Sequence, residues 1–188
     1  DWSSDVCSSD LLEPEDRTKG VYWRLYMNNL LPFIRLADLP EVERFEVDVC
    51  LNLFLPKSGL SLPAADLLPR RRAVVLHGQP AWTLGMADLL LDLCGHLYKE
   101  ATTTWWIAAG KDLNLIKFCD VASYVAWAGD RLDWAEFAAT VAGHGLQRPA
   151  HYALHFTNQL YPGTTPDAVL AAIAPADLGY LDQFGEVD

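Results

Sequence analysis

The chain has 188 residues, 51% of them hydrophobic and 21% charged, with a mean hydropathy of +0.07. That is the balance of one folded, water-soluble domain or slightly more, and folding at this length buries roughly 70% of the surface an unfolded chain exposes, so a core needs neither disulfides nor metal. The formal net charge of -11 argues against wrapping nucleic acid, because phosphates repel a net anion unless its cations are gathered in one place.

The first eleven residues, Asp1-Trp2-Ser3-Ser4-Asp5-Val6-Cys7-Ser8-Ser9-Asp10-Leu11, follow one reading frame of a common sequencing-library adapter without a break. They are set aside as a tag would be, and the natural polypeptide is expected to begin upstream of Leu12, making the chain a truncated gene product. Without Asp1, Asp5 and Asp10, 22 acids face 14 bases and the net charge is -8. Cys7 leaves with them. Cys50, Cys94 and Cys119 remain, each beside apolar residues and with no C-x-x-C spacing, which reads as reduced thiols of a cytoplasmic protein. The longest apolar runs are broken well short of the roughly 20 residues a membrane span requires.

In chain order, residues 22–55 read as strand-rich. One run covers residues 30–36 and a second covers 44–53, joined by a short turn, which predicts an antiparallel pair. In the second run Phe45, Val47, Val49 and Leu51 alternate with Glu46, Asp48, Cys50 and Asn52, so one face is expected on the core and Asp48 on the other. Pro32 restricts the first run to an edge or a bulge. Residues 56–82 hold Pro56, Pro63, Pro69, Pro80, Gly59 and Gly78 and read as a connecting region with short elements around 62–68 and 73–76.

Beyond it the pattern is helical. Met86, Leu89, Leu90, Leu93, Cys94 and Leu97 recur at spacings of three and four, giving an apolar stripe with Asp88, Asp92 and Lys99 on the polar face. A second helix is expected from an Asp112 cap through Leu115, Cys119, Ala122 and Val125 to Gly129. Asp133 with Glu136 three residues on is a capping-box start, and Gly143 or Gly145 closes that helix. Pro149 is expected at the first position of the next, which Pro162-Gly163 ends. Thr165-Pro166-Asp167 starts a last short helix ending at Pro175.

Few residues here have the makings of chemistry. Asp48, with Glu46 two before it on the same face, can present oxygen to a divalent cation, since a rigid strand fixes a carboxylate against the octahedral demand of Mg²⁺; equally, a polar-out position on a half-exposed strand carries an acid for solvation. His96, with Glu100 one turn later, suits either orienting an acceptor or phosphate or bonding a neighbouring acid or carbonyl at a helix contact. Lys99, Lys117 and Asp120 allow the same two readings. Arg70-Arg71-Arg72 is the one basic cluster and suits a triphosphate or anionic partner, or a solvated loop. His151 and His155 share a helix face, but H-E-x-x-H is not met and further zinc ligands are not placed. G-x-S-x-G, the P-loop and G-x-G-x-x-G do not occur in the sequence.

The order of segments resembles the uncharacterised nucleotidyltransferase family of the polymerase-beta-like superfamily. The resemblance rests on Phe45-Glu46-Val47-Asp48-Val49-Cys50 as a V-E-I-D-L-H-like hairpin strand and on the helix bearing His96-Leu97-Tyr98-Lys99-Glu100. It continues through Leu115 to Ala122 as an L-x-x-x-x-D-h-A helix, and Leu132-Asp133-Trp134 as a helix start, and spans roughly residues 28–160. It implies transfer of a nucleoside monophosphate from an NTP to an acceptor with Mg²⁺, Asp48 being the third of three metal-holding carboxylates. The family's G-S turn and D-x-D strand do not occur in these residues, and Cys50 stands where the family often has histidine, so the chain as given is expected to be inactive.

The expectation is therefore an α+β protein: the remnant of a mixed or antiparallel sheet, seen as a β-hairpin, followed by a C-terminal helical domain. Its parts are residues 1–11 as adapter, 12–82 as sheet region and linker, and 83–188 as helical domain. Asp48 is the expected catalytic residue, Asp48 and Glu46 the expected metal ligands, and the NTP and an unassigned acceptor the partners, with no membrane. The competing class is a non-catalytic helical interaction or substrate-recognition module.

Overall fold

The computed structural model describes residues 28–30, 33–39, 42–110 and 114–182, with positions 33–39, 42–46, 105 and 182 given as backbone only. The chain divides into two compact units between Ala65 and Asp66. The fold is α+β: an antiparallel hairpin precedes a largely helical region.

In the first unit β1 (Phe33–Leu39) pairs antiparallel with β2 (Val42–Val47), with Phe33 opposite Val47 and Leu36 opposite Arg44. Pairing resumes further out, where the Leu30 amide donates to the Val49 carbonyl at 2.9 Å and the Leu51 amide to the Asn28 carbonyl at 2.7 Å. Between the Phe33–Val47 pair and the Asn29–Cys50 bridge the register slips by one residue, the signature of a bulge. Pro32, expected at such a place, lies outside the described residues.

The long alternating strand is corrected at its outer half. β2 ends at Val47, and Val47 and Leu51 are 47% and 41% exposed instead of packed on a core. Past its last continuous pair the ribbon leaves both residues open to solvent, so alternation there no longer separates inside from outside. Among the described residues of this unit the buried apolar ones are Leu53, Phe54 and Leu62. Asn52 ties them together: its Oδ1 accepts from the Phe54 and Leu62 amides and its Nδ2 donates to Ser61 Oγ at 2.8 Å.

After the short α1 (Ala64–Leu67) and a 3-10 turn (Leu68–Arg70), the region read as a connector holds a second hairpin, β3 (Arg72–Leu76) with β4 (Gln79–Thr83). Its turn residues His77 and Gly78 take φ of 49° and 79°, the pair of left-handed residues that a tight hairpin turn needs.

The helices are α2 (Met86–Thr102), α3 (Thr104–Ala108), α4 (Leu115–Ala128), α5 (Trp134–Gly143), α6 (Gln147–Leu160) and α7 (Asp167–Ile173). α2 is the central element and packs on α4, α5 and α6. It buries Leu90, Leu91, Cys94, Leu97, Tyr98 and Ala101 against Phe118 and Val121 of α4, Phe137 and Val141 of α5, and Ala153 and Leu154 of α6. Asp133 caps α5, accepting from the Ala135 and Glu136 amides at 2.8 and 3.0 Å, and Gly129 with φ 51° ends α4.

Three expectations need correction here. Asp88 is buried, not on a polar face, because a partner from outside the helix accompanies the acid. α4 is capped by Asn114, whose side chain accepts from the Ile116 amide at 3.3 Å; Asp112 lies outside the described residues. α6 begins at Gln147, two residues before Pro149. Proline still falls within the first turn, where its missing N–H has no intrahelical partner to lose.

Candidate functional site

Two places carry the residues singled out from sequence, one in each unit. In the first, Asp48 follows the last residue of β2 and is exposed. It sits between two stretches of antiparallel pairing, with Val47 opposite Phe33 on one side and the Val49 carbonyl accepting from Leu30 on the other. The backbone that carries this carboxylate is therefore held by pairing on both sides of the register slip. Glu46 lies in β2 opposite Ile34, and its side chain is outside what is described. The oxygen donors of Asp48 and Glu46 match Mg²⁺ in type, but two of them fill a third of the octahedral shell that Mg²⁺ takes. Among the described residues no group of three or more His, Cys, Asp or Glu side chains is placed to hold a metal.

In the second unit the structure brings together residues that the sequence offered singly. Lys117 of α4 forms an ion pair with Glu100 of α2 at 3.0 Å, both side chains being about three-quarters buried. His96 stands one turn before Glu100, and its Nε2 is 3.9 Å from Asp92 Oδ1. Burial, then the positive charges of Lys99 and Lys117, push the His96 imidazole down to about 4. The ring is therefore neutral at pH 7, and its approach to Asp92 is neither an ion pair nor, at that distance, a hydrogen bond. Burial also raises the Asp92 carboxyl, with Lys99 opposing. Asp92 entered the sequence reading only as a polar-face residue; its i, i+4 spacing from His96 was the available signal. Asp120, one turn after Lys117, is exposed.

The arginine cluster does not act as a unit. Arg70 forms a two-pronged pair with Asp88, Nε to Oδ2 at 2.9 Å and Nη2 to Oδ1 at 2.6 Å. This hydrogen-bonded acid raises the guanidinium pKa further. Arg71 stacks over the Trp82 ring at 4.6 Å, and Arg72 Nε donates to the Leu84 carbonyl at 3.2 Å.

The two histidines of α6 are also engaged. His151 is buried, with Nδ1 2.9 Å from the Tyr180 hydroxyl, and His155 Nε2 is 3.0 Å from Gln159 Nε2. Their rings stack at 5.6 Å. His151 thus belongs to a buried polar contact, whereas that of His155 is exposed.

The described helices include none long and apolar enough to cross a membrane, and Cys94 and Cys119 are free thiols. The chain has no significant match among curated proteins or solved structures. A family model described as uncharacterised nucleotidyltransferase matches residues 13–162. That span takes in the Asp48 strand and the whole His96–Lys117 cluster, and the chain belongs to this uncharacterised nucleotidyltransferase family.

Proposed function

We propose that these residues are part of a cytoplasmic enzyme that transfers a nucleoside monophosphate from an NTP to an acceptor, with Asp48 as a catalytic carboxylate. The acceptor's nucleophilic atom bonds to the α-phosphorus, the bond from that phosphorus to the bridging oxygen breaks, and pyrophosphate leaves. The observation that carries this reading is the exposed Asp48 carboxylate, on a backbone held by pairing on both sides of a register slip, in a chain of this family.

Asp48 and Glu46 would together hold part of a Mg²⁺ shell, and the ion, when bound, supplies neutralisation of the triphosphate's charge. The protein's own part is positional: backbone pairing on both sides of Asp48 fixes where the carboxylate leaves the chain, which lessens the reorganisation needed when charge moves during transfer. The G-S turn and D-x-D strand that would complete the carboxylate set do not occur in the 188 residues, and on this reading the chain alone transfers no nucleoside monophosphate.

The test uses the product of the complete reading frame containing these residues, incubated with Mg²⁺ and NTP labelled at the α-phosphate. Incorporation of label, and its loss in Asp48→Asn with the fold intact, is the expected result. Unchanged incorporation in Asp48→Asn overturns the role of this residue.

One observation favours a second reading, a non-catalytic recognition module. The β3–β4 hairpin leaves Val75 and Trp82, which share a face, 72% and 64% exposed, an apolar surface of the kind that marks a contact site. Absence of any nucleotide transfer by the complete product, with retained binding of a partner lost on Trp82→Ser, is what that reading expects.

A further inference from the structure

We propose that the face where α2 and α4 meet, around His96 and Lys117, holds the phosphoryl group of a substrate as a tetrahedral anion, with Lys117 as its charge partner and a ring N–H of His96 as a donor. This rests on the nucleotidyl-transfer reading and deepens it, by assigning a second contact point for a phosphate-bearing ligand.

The distribution of charge is the first argument. The chain carries a net charge of -11 and five lysines, Lys19, Lys57, Lys99, Lys111 and Lys117. Two of the five, Lys99 and Lys117, lie close enough to one half-buried imidazole to influence its protonation. An acidic surface that needs only solvation spreads its few cations; gathering two beside a neutral hydrogen-bonding ring is what an anion requires.

The second argument is preorganisation. Glu100 fixes the Lys117 ammonium at 3.0 Å, with both side chains largely out of solvent. A lysine so held has already lost much of the side-chain freedom that binding would otherwise cost. An ammonium has three donors in a rotatable set, so the one engaged by Glu100 leaves donors for a further oxygen.

The third argument is the chemical state of His96. A neutral imidazole has one N–H to give and adds no charge, so it can sit between two ammonium groups without repelling them and still donate to a phosphoryl oxygen. The groups facing it are Asp92, Lys99 and Glu100 from α2 and Lys117 from α4, with Asp120 at the exposed end. Two cations are offset by Asp92 and Glu100, which leaves the cluster near neutrality before a ligand binds. A metal cation is the wrong occupant, since both lysines would oppose it.

The test follows the His96 ring by long-range proton–nitrogen NMR on the 188-residue chain through an acid titration. Three solutions of equal ionic strength are compared, containing sodium chloride, inorganic phosphate or sodium tripolyphosphate. A bound anion offsets the lysine charges that, after burial, lower the imidazole. Proton binding by His96 is thus expected to tighten about tenfold, one pKa unit, over the chloride solution.

An equal response to both phosphates assigns a monoester, and a response to tripolyphosphate alone assigns the tail of a nucleotide; either supports the site. Lys117→Met is expected to abolish the anion-dependent change, and Lys117→Arg, which keeps charge and contact, to retain it. A wild-type ring that titrates identically in all three solutions overturns the proposal, as does an undiminished response in a folded Lys117→Met. Asp48→Asn should leave the response intact, so loss of this site and loss of the transferase reading are told apart.

Discussion

Removing Arg70 should damage the helical unit more than removing its partner. Asp88 is 2% exposed and Arg70 41% exposed, so the two halves of the pair have different alternatives when left alone. Arg70→Met strands a carboxylate inside the protein, and breaking a buried pair in this sense costs about 3–5 kcal/mol. Asp88 lies in the first turn of α2, where the helix dipole favours negative charge by about 0.3–1 kcal/mol, so the net cost is about 2–5 kcal/mol.

Asp88→Asn is gentler. The amide oxygen still accepts from one guanidinium donor, and Arg70 can turn to water, so the expected loss is about 1–2 kcal/mol. Arg70→Met combined with Asp88→Leu should recover most of the first loss, because an apolar pair of similar volume no longer buries an unpaired charge. Urea unfolding followed by far-ultraviolet circular dichroism measures all three, given unchanged m values. If Asp88→Asn proves costlier than Arg70→Met, the assignment of the buried charge to Asp88 is wrong.

Tyr180→Phe leaves the buried His151 Nδ1 without its partner at 2.9 Å and should cost about 1–3 kcal/mol, measured by the same unfolding curves. Acid should weaken the fold through His96 and His151. Burial lowers both imidazoles below their ordinary 6.5, so the unfolded chain binds more protons, and stability present above pH 6.5 is lost as pH falls toward the folded values, about 4 for His96. His96→Gln should flatten that slope between pH 6.5 and 4; a slope unchanged in this variant would refute the assignment. Asp133→Ala removes the acceptor for two amides of α5 and should lower stability by about 1 kcal/mol, read as a lower midpoint in thermal or urea unfolding.

What sequence could show was local, and what it could not was carried by partners far along the chain. The Asp133 cap, the Gly129 stop and the Pro-Gly end of α6 each depend on a few consecutive residues, and each lies where spacing put it. The α4 cap was expected at Asp112 and is Asn114; both side chains can accept from a helix N-terminus, so local sequence does not separate them. The burial of Asp88 was hidden because Arg70 lies 18 residues away, and an isolated acid beside an apolar stripe looks like a solvated one. The strand alternation around Asp48 misled at Val47 and Leu51 because it assumed a covering layer. His96, Glu100 and Lys117 were each noticed, but their meeting depends on how α2 packs on α4, which no single-helix pattern encodes.

The central position of α2 also sets how the helical unit breathes. An element whose buried side touches α4, α5 and α6 together cannot open its amides while those neighbours stay in place. Its interior N–H groups should be the last of that unit to exchange with deuterium, and to do so in a single cooperative event. The α7 helix, seven residues long, should lose its protection earlier, through partial openings that leave α2 closed.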